Sequence, residues 1–84
     1  MNSINWTKQA LKQLRKIGEQ HQPTIVKAVR ALSEMPNCQN IKALTNHPYG
    51  YRLRVGNFRV LFDWSSEVKI VEIQEVRKRD ERTY

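Results

Sequence analysis

The sequence predicts an α+β fold, with a short N-terminal strand and a two-helix hairpin packed on an antiparallel β-sheet. Three observations carry that expectation: apolar residues recur at helical spacing in two early stretches, two alternating runs meet at Gly56-Asn57, and a Val- and Ile-rich run follows. At 84 residues the chain is expected to form one domain, spanning 1–84, since domains seldom fall below about 50 residues.

Ile4 and Trp6 alternate with polar neighbours, as in a short first strand. Thr7 stands as an N-cap ahead of Ala10, Leu11, Leu14 and Ile17, whose spacing is helical. Lys8, Lys12, Arg15 and Lys16 take the opposite side, and Gly18 marks a C-terminal stop. Gln20 to Gln22 lead to a second helix, opened by Pro23, carried by Ile25, Ala28, Val29 and Leu32, and ended by Met35-Pro36. So short a link makes the pair a hairpin. Residues 36–50 carry loop signals, interrupted by Ile41 and Leu44, which could tuck under the sheet. The runs 51–55 and 58–64, joined by two residues, predict a β-hairpin. Ser65-Ser66 then turns the chain into a third antiparallel strand over 68–76, ahead of a charged tail over 77–84.

Fifteen Lys and Arg against eight Asp and Glu leave a net charge of +7, which favours polyanions through long-range attraction and counterion release. The arginines are concentrated late: residues 48–84 hold Arg52, Arg54, Arg59, Arg77, Arg79 and Arg82 but only Lys69 and Lys78 among lysines. Guanidinium grips phosphate bidentately and stays charged, so nucleic acid is the first partner suggested. No apolar run approaches the roughly 20 residues of a membrane span, and the first residues lack a signal-peptide pattern, so a cytoplasmic protein without membrane contact is expected. The lone Cys38 cannot close an internal disulfide, and His21 and His47 give no zinc-ligand spacing, so no metal is expected. Both histidines read as surface or turn residues.

With Gly56 and Asn57 as the loop, Val55 faces Phe58, Arg54 faces Arg59, Leu53 faces Val60 and Arg52 faces Leu61. One face then carries Tyr51, Leu53, Val55, Phe58, Val60, Phe62 and Trp64, and the helical hairpin can cover it. The other carries Arg52, Arg54, Arg59, Leu61 and Asp63. Directly opposed like charges destabilise a hairpin by a few tenths to about 1 kcal/mol, so Arg54 opposite Arg59 suggests a phosphate site. In the favoured register of the next strand, Val71 and Ile73 join the apolar face and Glu72 lies opposite Arg59, orienting it through an ion pair.

Over essentially its whole length this pattern resembles the RelE/ParE superfamily of toxins from bacterial type II toxin-antitoxin modules. The resemblance rests on strand, two helices and sheet in that order, on Tyr51-Arg52-Leu53-Arg54 with Gly56, on Phe58-Arg59-Val60-Leu61, and on the tail Arg77-Lys78-Arg79-Asp80-Glu81-Arg82-Thr83-Tyr84. It implies a RelE-like fold and, for the RelE-like branch, a ribosome-dependent endoribonuclease that cleaves mRNA without metal or other cofactor. In that reaction a 2′-hydroxyl attacks the adjacent phosphate, leaving a cyclic phosphate and a 5′-hydroxyl. Carried over residue by residue, the resemblance makes Arg54, Arg59, Arg79 and Tyr84 catalytic, and Arg52, Arg54, Arg77, Lys78 and Arg82 RNA-phosphate ligands. Arg52 and Arg54 stand where the family often has lysine. Arginine is no general base near neutral pH, so both are clamps, leaving Lys78 and Tyr84 as titratable candidates. Tyr84 is preferred, as base or as a stacking platform. The implied partners are a cognate acidic antitoxin, the ribosome and mRNA. The ParE-like alternative is a DNA gyrase inhibitor acting by protein binding. A plain RNA-binding domain would need stacking aromatics on the open sheet face, whereas the hairpin aromatics fall on the core face.

Overall fold

The computed structural model describes residues 1–78. Chain order is β1 (Ser3–Trp6), α1 (Lys8–Lys16), α2 (Gln22–Arg30), a 3-10 turn (Ala31–Glu34), β2 (Ile41–Ala43), β3 (Tyr51–Val55), β4 (Phe58–Ser65) and β5 (Ile70–Lys78). The five strands form one sheet in the order β1-β5-β4-β3-β2. The α+β class and the helical pair on the sheet are as the sequence predicts. The neighbours from β2 to β5 are antiparallel, while β1 joins β5 in parallel, Ile4 opposite Val71 and Trp6 opposite Ile73. Parallel pairing follows from the helical hairpin, which carries the chain back across the sheet before the antiparallel strands begin. Among the described residues no helix is long and apolar enough to cross a membrane.

Local chemistry explains the elements. Thr7 caps α1 by accepting from the Ala10 amide at 3.1 Å, and Pro23 sits in the first turn of α2. Ala10 and Leu14 from α1, Ile25 and Val29 from α2 and Leu32 from the 3-10 turn bury against Leu53, Val55, Phe58, Val60, Phe62, Val71, Ile73 and Val76. The β3–β4 register is the predicted one throughout, from Tyr51 opposite Phe62 to Val55 opposite Phe58. Gly56 has φ of 56° and Asn57 is not in the positive-φ region, as in a type II′ turn whose first central residue must be left-handed. A Cβ there would meet nothing within 4 Å, so the demand for glycine is conformational.

Three expectations are corrected. Residues 41–43 are an edge strand, with Ile41 opposite Leu53 and Lys42 opposite Arg52. A three-residue strand is too short for its alternation to register. The turn after β4 is longer than Ser65-Ser66: Ser65 pairs with Ile70, and Lys69, with φ of 55°, closes the turn. Glu72 lies opposite Asp63, and Arg59 lies opposite Arg77. The longer turn moves Glu72 from Arg59 to Asp63, and a β-bulge beside Leu61 and Phe62, whose partners are Glu75 and Ile73 so that Gln74 is the extra residue, then sets Arg77 instead of Val76 opposite Arg59. Val71 and Ile73 are buried as predicted. Beyond the bulge the alternation inverts, so Val76 returns to the core and Glu75 and Arg77 turn to the face away from the helices.

Candidate functional site

The arginine face is built by register. Arg54 on β3, Arg59 on β4 and Arg77 on β5 are direct cross-strand neighbours in one row, and Lys42, Arg52, Leu61 and Glu75 form the next. Strands lie about 4.8 Å apart, so three guanidinium stems emerge within about 10 Å. A cavity of about 190 Å³ is lined by Arg52, Arg54, Gly56, Phe58 and Arg59. The cations predicted from the hairpin therefore meet in one concavity beside the turn, where glycine leaves the backbone open to a ligand.

The second row supplies a counterweight the sequence did not announce. Glu75 is 6% exposed. Its carboxylate accepts from Arg77 Nε at 2.9 Å and Arg77 Nη2 at 3.0 Å, a bidentate pair, and from Gln13 Nε2 at 3.4 Å. Burial pushes the Glu75 carboxyl upward, but the hydrogen bonds from Arg77 and Gln13, the Arg77 charge and the nearby Tyr49 hydroxyl outweigh it and hold the group below the ordinary carboxylate range. Gln13 also takes the Val76 amide at 2.7 Å, completing the β5 edge where β1 has ended. The Tyr49 hydroxyl is pushed above its ordinary value by burial and by the Glu75 carboxylate beside it. Tyr49 itself precedes β3, two strands from β5 in the sheet order, so its hydroxyl end comes beside Glu75 from a residue distant in sequence.

Farther along the same face the charge reverses. Asp63 accepts from the Gly50 amide at 2.7 Å and from Gln74 Nε2 at 3.1 Å, and the same amide reaches Glu72 at 3.3 Å. Gln74, the bulge residue, thus bridges two opposed carboxylates.

Of the residues singled out from sequence, Arg52, Arg54, Arg59 and Arg77 are brought together. Lys78 pairs with Phe58, and alternation turns it to the helix side of the sheet, away from Arg77. Arg79, Arg82 and Tyr84 lie outside the described residues. His47 is exposed in the loop before β3, and its Nδ1 accepts from the Tyr49 amide at 3.1 Å. His21, also exposed, packs its ring 5.2 Å from that of Phe58. Tyr49, Glu75 and Gln13 were missed. Glu75 occupies what reads as a core position of a regular strand, and only the bulge brings it into the site.

Fold and face together define a small basic α+β protein that covers one side of its sheet with helices and sets arginines on the other. The profile of the ParE toxin of type II toxin-antitoxin systems (parDE) matches residues 4–83, and the protein belongs to that family. It is a toxin of a type II toxin-antitoxin module. No curated protein sequence matches it. Solved structures do. The RelBE2 toxin-antitoxin complex from Mycobacterium tuberculosis has a chain 25% identical, with TM-score 0.81, covering 93% of this chain and 98% of that one. The isolated E. coli RelE toxin is 20% identical, with TM-score 0.79 and coverage of 96% and 87%. A chain of the chromosomal ParDE system from P. aeruginosa is 20% identical, with TM-score 0.74 and coverage of 95% and 98%. RelE and ParE toxins thus share this fold.

Proposed function

We propose that this toxin acts in the cytoplasm as a ribosome-dependent mRNA interferase of the RelE-like type, neutralised by a cognate acidic antitoxin. One observation carries the reading: Arg54 and Arg59 oppose each other across the hairpin beside Arg52, around a cavity of about 190 Å³. Opposed like charges are unfavourable in a bare hairpin, and a phosphodiester between them converts repulsion into two charge-assisted clamps. In the reaction the 2′-oxygen of a ribose forms a bond to the adjacent phosphorus while the bond to the 5′-oxygen of the next nucleotide breaks. The proton of the 2′-hydroxyl goes to a base, and the 5′-oxygen receives one. Negative charge grows on the non-bridging oxygens, and Arg54 and Arg59 stabilise it, with Arg52 neutralising the approaching strand. By resemblance Tyr84 is assigned to proton transfer or base stacking and Arg79 to the charge developing on phosphorus, with Arg82 on the phosphate backbone.

Induction of the toxin followed by mapping of 5′ ends on translated messages tests this. Cleavage within translated codons, lost in Arg59→Ala, is expected. The second reading, gyrase inhibition, is favoured by the family profile itself, which is that of ParE. It requires double-strand DNA breaks with intact messages, and that outcome would replace the ribonuclease reading.

A further inference from the structure

The buried Glu75 carboxylate has no part in the phosphate clamp, yet it is the most heavily bonded acidic group on the arginine face. It ties down Arg77, whose side chain remains 60% exposed. The hydroxyl end of Tyr49, a half-buried ring, lies near enough for the carboxylate to push it above its ordinary value. A guanidinium paired bidentately to a carboxylate has its charge balanced and two N–H groups committed, so it is a poorer anion ligand than Arg54 or Arg59. Its flat face stays free, and such faces stack on nucleobases. The carboxylate repels phosphate and tolerates a neutral ring. Arg77 is the cross-strand neighbour of Arg59, one strand spacing of about 4.8 Å from the phosphate pocket, which is within the span of one nucleotide.

We propose that Arg77, held by Glu75, and the neighbouring Tyr49 form a subsite for one nucleobase of single-stranded RNA beside the arginine phosphate pocket. The inference rests on the nucleic-acid reading above and adds to it where a base is received. Tyr49 contributes a stacking ring, packed 5.9 Å from the ring of His47. Glu75 is a positioning residue, and Gln13 secures it from α1. The hairpin aromatics Tyr51, Phe58, Phe62 and Trp64 pack against the core, which among the described residues leaves Tyr49 for stacking on this face.

The test measures binding of two non-cleavable probes to the purified full-length toxin by fluorescence anisotropy. One is a 2′-O-methyl adenylate hexamer, the other the same hexamer without bases. The readout is the ratio of the two affinities, which a general loss of fold or charge does not move. Tyr49→Phe should keep the ratio within about twofold, because the ring remains. Tyr49→Ala should lower it by roughly tenfold, the usual scale for one lost stacking contact. Glu75→Gln should also lower it, since removing a negative charge favours the abasic probe while releasing Arg77. An unchanged ratio in Tyr49→Ala overturns the subsite. Arg59→Ala should weaken both probes alike. If it weakens neither, the phosphate reading fails while the ratio still judges the subsite, and if the native toxin binds neither probe, both fall.

Discussion

Arg59 sits between Arg54 and Arg77 in a single cross-strand row, so removing its charge should make the folded protein more stable as it disables the toxin. Arg59→Gln keeps much of the aliphatic stem, which is half-buried, and deletes only the cation. Each directly opposed like pair costs a few tenths to about 1 kcal/mol. The Arg77 pair counts for less because Glu75 already balances that guanidinium at 2.9 Å, leaving the Arg54 pair as the main contribution. The expected gain is about 0.5–1 kcal/mol, or roughly 2–8 °C in melting temperature for a domain of this size. Thermal unfolding by circular dichroism at low salt measures it. Salt supplies the control, because screening shortens from about 10 Å at 0.1 M to about 3 Å at 1 M, and the gain should shrink accordingly. A destabilised Arg59→Gln, or a gain indifferent to salt, would refute the reasoning and mean that the stem packs as core rather than presenting a charge.

Other consequences are as specific. Asn2 is 7% exposed, donates to the carbonyls of Ser33 and Met35 at 3.1 Å each, and accepts from Trp64 Nε1 at 3.1 Å. Asn2→Ala should cost about 2–4 kcal/mol by leaving buried partners unsatisfied, and a loss below about 0.5 kcal/mol in urea unfolding would contradict that. Glu75 has a folded pKa below its unfolded value near 4.3, so its stabilisation is complete above about pH 5 and is lost as pH falls below about 4. Glu75→Gln should therefore flatten the acid limb of the stability profile, and an unaltered limb would assign acid sensitivity elsewhere. Association with the cognate antitoxin should slow steeply between low and high salt if the basic face steers it, and stopped-flow rates indifferent to salt would exclude steering.

The hairpin was legible because two signals agree there: a Gly-Asn pair fixes the turn and strict alternation fixes the faces, so Arg54 opposite Arg59 followed without coordinates. The helices were legible from spacing, with Thr7 as a true cap. Gly18 follows the cap residue Ile17 directly, where a stop glycine is expected, though without the positive φ that Gly56 adopts. What could not be read depends on contacts distant in sequence. The parallel pairing of β1 rests on partners about 67 residues away, and Ile41–Ala43 becomes a strand only because β3 offers an edge. Tyr49 is loop, as read, but nothing local says that its hydroxyl comes near a carboxylate 26 residues on, Glu75. Glu75 looked like core, since a bulge at Gln74 has no signature in a run of Val, Ile and Gln.

That single extra residue behaves as a frameshift written in space instead of codons. Upstream of Gln74 the odd-numbered positions of β5 feed the core, and downstream the even-numbered ones do. Drawing Gln74 into regular pairing would alter no arginine and remove no carboxylate, yet it would rotate Glu75 and Arg77 under the helices and lift Val76 and Lys78 into their places, whereas deleting Gln74 would erase the bulge and keep every face. The toxin's charge pattern is thus encoded by how β5 is paired as much as by residue identity. Along β5, loss of Gln74 would be expected to be better tolerated than loss of Ile73 or Val76, both of which feed the core.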